Sequence, residues 1–435
     1  MKREGFSGIF FHEGLLALII IYFSFHGYVV HFGSVPATSL LVLSVVIFLF
    51  SLIIQRILLK LFENRARATV YSAILLLAIL FFGVWQDIVS GLKPIANMGR
   101  LTIFFPLCLL VLIVSFLIIS RSKATFRRFR IFLATLMLIY LVVDVFNLAR
   151  QAGPENHGKQ VNLKEISIPV SGNKSRPPVY ILLLDEYQGN EGLDRYYNYP
   201  NASLRKKLLD GGFHINRNPS SNYHLTVYSL ASMLNMEYLE FANPAVISNH
   251  FAYKRALQAI DKNKTAELFR RLGYHVKNKS PFYFDGQAPG FSTGLLPDKL
   301  NLAQHQTMYY RVARALPDIL AEKFGIRYFA ERNAELADKS NHRMMTEVLD
   351  ESKVNNRSSF TYLHLMMPHE PFVRDSLGNK PGLMNYGGSR TIAETDSAYL
   401  QYLVYTNNVI MEFIEKLKAS AGGCMRWKKL KVRCL

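Results

Sequence analysis

Cysteine is scarce: three in 435 residues, at 108, 424 and 434, with no CxxC pair. That excludes a disulfide framework and a cysteine zinc site. Acids are short as well, 32 against 51 Lys+Arg, and only 19% of residues are charged where about a quarter is usual. With 50% hydrophobic residues, the chain cannot be a disordered one. A net charge of +19 can mark a nucleic-acid binder, yet no basic-aromatic module of that kind is present.

What the chain has in abundance is apolar sequence, most of it in the first 150 residues. A membrane span needs about 20 mostly apolar residues. Five stretches qualify, at 14–30, 37–58, 70–88, 101–120 and 131–148. They are apolar nearly all round, not striped like helices that pack on a soluble core. The first lacks the small-residue cleavage site of a signal peptide. The loops alternate in basic charge. Lys2 and Arg3 precede the first span, and the loop around Gly33 to Pro36 has no charge. Arg56, Lys60, Arg65 and Arg67 follow the second span, and Lys93 and Arg100 the third. Arg121, Lys123, Arg127, Arg128 and Arg130 follow the fourth. Positive loops stay in the cytoplasm, so the N-terminus is expected inside and everything after Arg150 outside. The basic excess of this half is thereby explained without nucleic acid. Glu13, Asp87 and Asp144 fall near span ends, where solvation is expected, although acids at membrane depth are functional suspects.

Residues 151–175 are polar and punctuated by Gly153-Pro154, as a linker would be. Residues 176–420 then read as one large domain. It opens on Val179-Tyr180-Ile181-Leu182-Leu183-Leu184, a continuous apolar run suited to a strand buried on both faces of a parallel sheet. The run ends in Asp185-Glu186. Carboxylates at the carboxyl end of such a strand sit where open α/β sheets place ligands, so a cation site and an exposed turn are both open readings. A helical segment at 203–209 closes on Gly211-Gly212, and Phe213-His214-Ile215 starts a second strand. From Thr226 a further helix is predicted, with small residues on one side. Its first hydroxyl could cap the helix or act as a nucleophile toward an anion. Residues 359–366 read as another buried strand, in which His364 is expected to be a satisfied core histidine. The strand runs into Pro368-His369-Glu370-Pro371-Phe372, where an extended loop should display His369. A helix with a broad apolar face is predicted at 399–419.

Taken in order, these motifs resemble the sulfatase-like branch of the alkaline-phosphatase superfamily, in particular its membrane-anchored phosphoethanolamine transferases and lipoteichoic-acid synthase type. The run Pro178 to Glu186 looks like the family's first strand and first metal carboxylate. Thr226 stands where the family keeps its nucleophile, and Pro368 to Phe372 looks like its histidine loop. The resemblance implies five transmembrane α-helices followed by an α/β alkaline-phosphatase-like domain with a mostly parallel sheet. It also implies a divalent metal (Zn, Mn or Ca) held by Asp185, Thr226 and, with less weight, Glu186. His369 would bind the transferred group. The implied activity is transfer or hydrolysis of a phosphate or sulfate ester on a cell-envelope lipid or glycan. A threonine favours phosphate, because the oxidised-cysteine cofactor of sulfatases cannot be made from it. The expected partners are a membrane lipid and a lipid-linked or glycan substrate, with no nucleic acid. The expected setting is a bacterial-type inner membrane. Oligomeric state has no signature here.

One departure stands out. The family continues past its last helix into a strand ending in Asp-His-Gly, which supplies further metal ligands. Here residues 421–435 hold five cations in the last twelve positions and two of the three cysteines, and no Asp-His pair. The domain is therefore expected to be C-terminally incomplete, through a frameshift or early end, with a divergent tail as the alternative. Without those ligands this chain is expected to show little or no activity, and a non-catalytic truncated membrane protein or envelope-binding remnant is the corresponding functional alternative.

Overall fold

The structure is a computed structural model that describes residues 6–31, 35, 37–151, 176–216, 219–241, 250–290, 303–354, 358–381, 391–420 and 431–432. The expected linker, except for Gln151, and most of the basic tail lie outside the described residues. The chain divides into two compact units.

The first unit is helical. Its elements are α1 (Phe6–Val30), α2 (Ala37–Phe62), α3 (Arg65–Leu80), α4 (Phe82–Gly91), a 3₁₀ turn (Lys93–Gly99), α5 (Leu101–Arg121) and α6 (Arg127–Gln151). Asn64 caps α3 by accepting from the Arg67 amide at 3.1 Å, satisfying one of the amides a helix start leaves orphaned. Leu16, Ile19 and Ile20 of α1 pack with Ala73, Leu76 and Leu80 of α3 and with Leu133 and Met137 of α6. Large apolar side chains on the outside, such as Leu41 and Phe50 of α2, Ile118 of α5 and Phe146 of α6, are more than half exposed. Such a surface suits hydrocarbon and would be a liability in water.

Among the described residues, four helices are long and apolar enough to cross a membrane: Glu13–Val30, Ala37–Phe62, Leu101–Arg121 and Arg127–Arg150. The expected third span is instead a pair, α3 and α4, bent by 61°, so the count is four, or five if the pair is one span. The bend falls at Phe81, between the two helices. The Gly83 amide beyond it donates to the Gln306 carbonyl at 2.7 Å, and Arg311 forks onto Asp87 at 2.9 and 2.7 Å. A Cβ at Gly83 would come within 2.4 Å of Gln306 Oε1, so a larger residue there would make the Gln306 and Arg311 side chains shift. Residues 303–316, far along the sequence, thus gather with the first unit. Asp144 also differs from expectation. It is only 4% exposed, and both its oxygens lie within 3.2 Å of His26 Nδ1.

The second unit holds β1 (Val179–Leu184), α7 (Asn190–Tyr197), α8 (Ala202–Asp210), β2 (His214–Ile215) and α9 (Thr226–Asn235). Then come α10 (His250–Asp261), α11 (Lys264–Arg271) and β3 (His275–Lys279). α12 (Met308–Phe324) begins in the first unit and ends in the second. α13 (Tyr328–Val354), β4 (Ser359–Leu365), α14 (Ile392–Ser420) and β5 (Lys431–Val432) complete the order. One sheet is parallel throughout, in the order β1-β4-β3; β2 and β5 form a separate parallel pair.

β4 is central, and every residue in it is buried. Successive side chains of a strand point to opposite faces. Phe360 and Tyr362 accordingly enter one core with Tyr228, Leu230 and Leu234 of α9. Leu363 and Leu365 enter the other, with Met344 and Met345 of α13 and Tyr402 and Leu403 of α14. Side chains of β1 pack against both cores, which explains its continuous apolar run, whereas β4, buried throughout, also carries Ser359, Thr361 and His364. β1 pairs with β4 from Val179↔Phe360 to Leu184↔Leu365, and the Asp185 amide adds one more bond, to the Leu365 carbonyl, at 3.0 Å. Asp185 therefore stands at the carboxyl rim of the sheet, next to the loop that leaves β4.

Candidate active site

Three loops meet at that rim. The first leaves β1 and carries Asp185 and Glu186. Glu186 has a left-handed backbone, with φ of 58°. Tyr399 of α14 holds the turn: its hydroxyl donates to the Glu186 carbonyl and accepts from the Gln188 amide, both at 3.0 Å. The second loop leads into α9. Asn222 donates to Ser232 Oγ at 2.7 Å, and the Ser221 and Ser229 hydroxyls share a 2.6 Å hydrogen bond. The small polar residues of α9 thus anchor the segment that delivers Thr226.

Thr226 is the first residue of α9. The cap position is Leu225, and no side chain caps the helix. The Thr226 hydroxyl instead donates to Asp185 Oδ1 at 3.1 Å, bridging 41 positions of sequence. Asp185 is 5% exposed. Burial opposes its charge, but His364, His369 and the Thr226 hydroxyl outweigh burial and hold its pKa below the usual carboxylate value. Glu186 moves the opposite way. Burial raises its pKa, and the charge of Asp185 adds to this, while His369 offsets part of the rise. Two adjacent carboxyl groups are thereby pushed apart in acidity, a pattern typical of sites that divide roles between two acids.

The third loop follows β4. His369 Nε2 lies 3.1 Å from Glu186 Oε1, and the Glu370 amide donates to Glu186 Oε2 at 3.4 Å. α13 grips both ends of this loop. Asn341 donates to the Met366 carbonyl at 3.2 Å and accepts from the Met366 amide at 2.9 Å. Asp338 accepts from Arg374 Nε and Nη2 at 3.1 and 2.6 Å.

Thr226 and His369 are therefore linked through the two neighbouring carboxylates rather than to each other. Sequence reasoning missed Asn341, Asp338 and Tyr399. Asp338 and Asn341, three residues apart, share one face of α13, but their burial shows only in the structure. His364 also needs correction. It is fully buried as expected, but it is not a satisfied core histidine: Nε2 has no hydrogen-bond partner among the described residues and faces Asp185 Oδ2 at 3.7 Å.

With this geometry in hand, comparison with known families is decisive. The sulfatase family model matches residues 178–422, more than half of the chain. The chain belongs to the sulfatase family. The matched stretch begins one residue before β1 and contains all three loops of the rim. No curated protein and no solved structure matches the chain.

Sulfatase-family proteins are generally metal-dependent. Asp185 and Thr226 offer two hard oxygen donors 3.1 Å apart, a separation that neighbouring ligands of one divalent cation have when bonds are about 2.1–2.4 Å. That pair fits such an ion as part of its ligand set. Among the described residues no group of three or more His, Cys, Asp or Glu is gathered to complete it.

Proposed function

We propose that this sulfatase-family protein is membrane-anchored and transfers or hydrolyses a phosphate ester group on a cell-envelope lipid or glycan, with Thr226 as nucleophile. The observation that carries the reading is the Thr226 hydroxyl donating to a buried Asp185 whose charge is favoured. A hydroxyl fixed on a carboxylate at a strand end is positioned for attack rather than for capping. Sulfate ester chemistry remains the variant that a threonine favours less.

Asp185 and Thr226 would hold a divalent cation, of the zinc, manganese or calcium class, and the bound ion would supply the positive charge that eases ionisation of the hydroxyl. Asp185 keeps the Thr226 oxygen pointed to the rim. His369, steadied by Glu186, offers a partly exposed imidazole to the non-bridging oxygens of the transferred group. In the first step a Thr226 Oγ1–phosphorus bond forms while the donor's ester oxygen–phosphorus bond breaks. The donor alcohol leaves with the proton that the hydroxyl gives up. An acceptor alcohol or water reverses the exchange and restores Thr226.

Around this chemistry, the reading places an α/β domain of the alkaline-phosphatase type outside the inner membrane. α3 and α4 together form the third of five spans, and the N-terminus is inside. The alternating basic loops support that orientation. A reporter active only outside the cytoplasm should work when fused after Ala152 and stay silent after Arg128; the opposite result overturns the topology. For the activity, purified full-length chain with zinc or manganese should cleave bis-p-nitrophenyl phosphate only weakly, because just part of a catalytic ion's ligand set is gathered among the described residues, and Thr226→Ala should not cleave it. Equal cleavage by both proteins refutes the nucleophile.

A further inference from the structure

The buried histidine behind the rim has no role in the reaction just described. His364 lies one strand position before Leu365, the last residue of β4, and no part of it reaches solvent. Burying a polar group without a partner is costly, so a core position that needed only bulk would hold an apolar side chain. The ring is held from one side. The Tyr362 hydroxyl and His364 Nδ1 are 3.2 Å apart, on the same face of β4 two residues on, and the Phe282 ring lies against the imidazole at 5.7 Å between centroids. The other ring nitrogen, Nε2, meets the Asp185 carboxylate across the β1–β4 pair, at 3.7 Å from Oδ2. That separation is too long for a full hydrogen bond but short enough for strong attraction between an N–H and a carboxylate in a buried setting.

Which nitrogen carries the proton follows from these neighbours. If Nδ1 carried it, the bare lone pair of Nε2 would face a carboxylate, and the two would repel. If Nε2 carries it, the proton points at Oδ2 and the Tyr362 hydroxyl donates to Nδ1. Tyr362 can fill that role at all ordinary pH, since burial and the nearby Asp185 charge push its phenol well above the usual value. The two oxygens of Asp185 then have separate tasks, Oδ2 toward His364 and Oδ1 toward Thr226.

We propose that His364 is a positioning residue for Asp185: tied through Nδ1 to Tyr362, it turns an Nε2 proton toward Oδ2 and fixes the carboxylate so that Oδ1 faces Thr226. Its kinetic consequence rests on the functional reading above; the geometric claim does not. Residues that orient a ligating or catalytic carboxylate typically change affinity or rate by about 10–100-fold when lost.

Full-length chain labelled with nitrogen-15 histidine, in detergent micelles, tests the geometry. The His364 signals are assigned by their loss in His364→Gln. The expected spectrum is an Nε2-protonated tautomer, with an Nε2 signal that shifts in Asp185→Asn. The Nδ1 signal should shift in Tyr362→Phe, a change that keeps the ring and its packing. An Nδ1-protonated tautomer, or an Nε2 signal indifferent to Asp185→Asn, overturns the proposal. Kinetics test the consequence. His364→Phe should lower kcat for bis-p-nitrophenyl phosphate about 10–100-fold with little change in KM, and His364→Gln, whose amide can donate in place of Nε2, should recover part of it. Full kcat in His364→Phe also overturns the proposal. A chain with no cleavage at all but the expected spectrum refutes the functional reading and leaves the positioning standing.

Discussion

Each unit of the chain buries an aspartate against a histidine, and the two arrangements differ in instructive ways. In the helical unit, Asp144 of α6 takes His26 of α1 at 3.0 and 3.2 Å, so one imidazole nitrogen serves both carboxylate oxygens. The contact ties two apolar helices together and spends the carboxylate's bonding capacity on the tie. In the sulfatase unit, Asp185 is approached from two directions by different groups, His364 at 3.7 Å and the Thr226 hydroxyl at 3.1 Å. One oxygen is held and the other presents a reactive hydroxyl. The difference comes from backbone position. Helix interiors offer an acid only its lateral neighbours, whereas a strand end lets loops from several elements converge on it.

The largest effect should separate the units rather than the aspartates. Phe360→Ala empties a fully buried ring site in β4 and should destabilise the sulfatase unit by about 3–5 kcal/mol, read as an early, separate transition in a thermal melt in detergent. A single unchanged transition would show that the two units are not independent in stability. Next in size is Asn341→Ala, which leaves the Met366 amide and carbonyl without their partner and should cost about 1–3 kcal/mol. Because that loop carries His369, cleavage should fall more than the melt predicts; a fall in stability alone would make Asn341 a purely structural tie.

How much of this was legible in the chain varies with the physics involved. β1 announced itself because its side chains pack into both cores and are apolar at every position; β4 did so through Phe360, Tyr362, Leu363 and Leu365, although Ser359, Thr361 and His364 interrupt its run. β3 did not, because His275, Lys277 and Lys279 alternate with Val276 and Asn278 and imitate a loop. The loops bearing Asp185, Thr226 and His369 were readable as motifs, and their meeting was an inference from the resemblance. The clasp from α13 was not readable, since Asp338 and Asn341 look like ordinary polar helix residues until the loop they hold is known. The bend between α3 and α4 was hidden for a similar reason: Phe81 to Gly83 is as apolar as an unbroken span. Its partner, Gln306, lies more than 200 residues away.

The comparison of the two aspartates can itself be sharpened by removing each partner of the helical pair. His26→Ala leaves a buried carboxylate alone and should cost about 1–3 kcal/mol, whereas Asp144→Ala leaves a half-exposed imidazole and should cost less. Equal losses would mean that Asp144 has other support. The smallest effect belongs to the surface network in which Glu351 meets Lys277 at 2.6 Å and Lys279 at 2.9 Å. Burial opposes the charge of Glu351, but the two lysines outweigh it and lower its pKa. A carboxylate with a depressed folded pKa contributes stability above its unfolded value, near 4.5, and loses it as the pH falls through the folded value. Glu351→Gln should therefore lower the melting temperature slightly at pH 7, by well under about 1 kcal/mol after solvent screening, and not at all at low pH. A pH-independent difference would assign the effect to packing.

The central claim is that Thr226 is the nucleophile held by Asp185, and trapping the intermediate tests it most directly. Full-length chain incubated with a phosphodiester and zinc or manganese, then quenched in acid and digested, should yield a phosphorylated peptide with the group on Thr226. Asp185→Asn should reduce that adduct and Thr226→Ala should remove it along with turnover. Turnover that persists in Thr226→Ala, or an adduct located on another residue, would contradict the account.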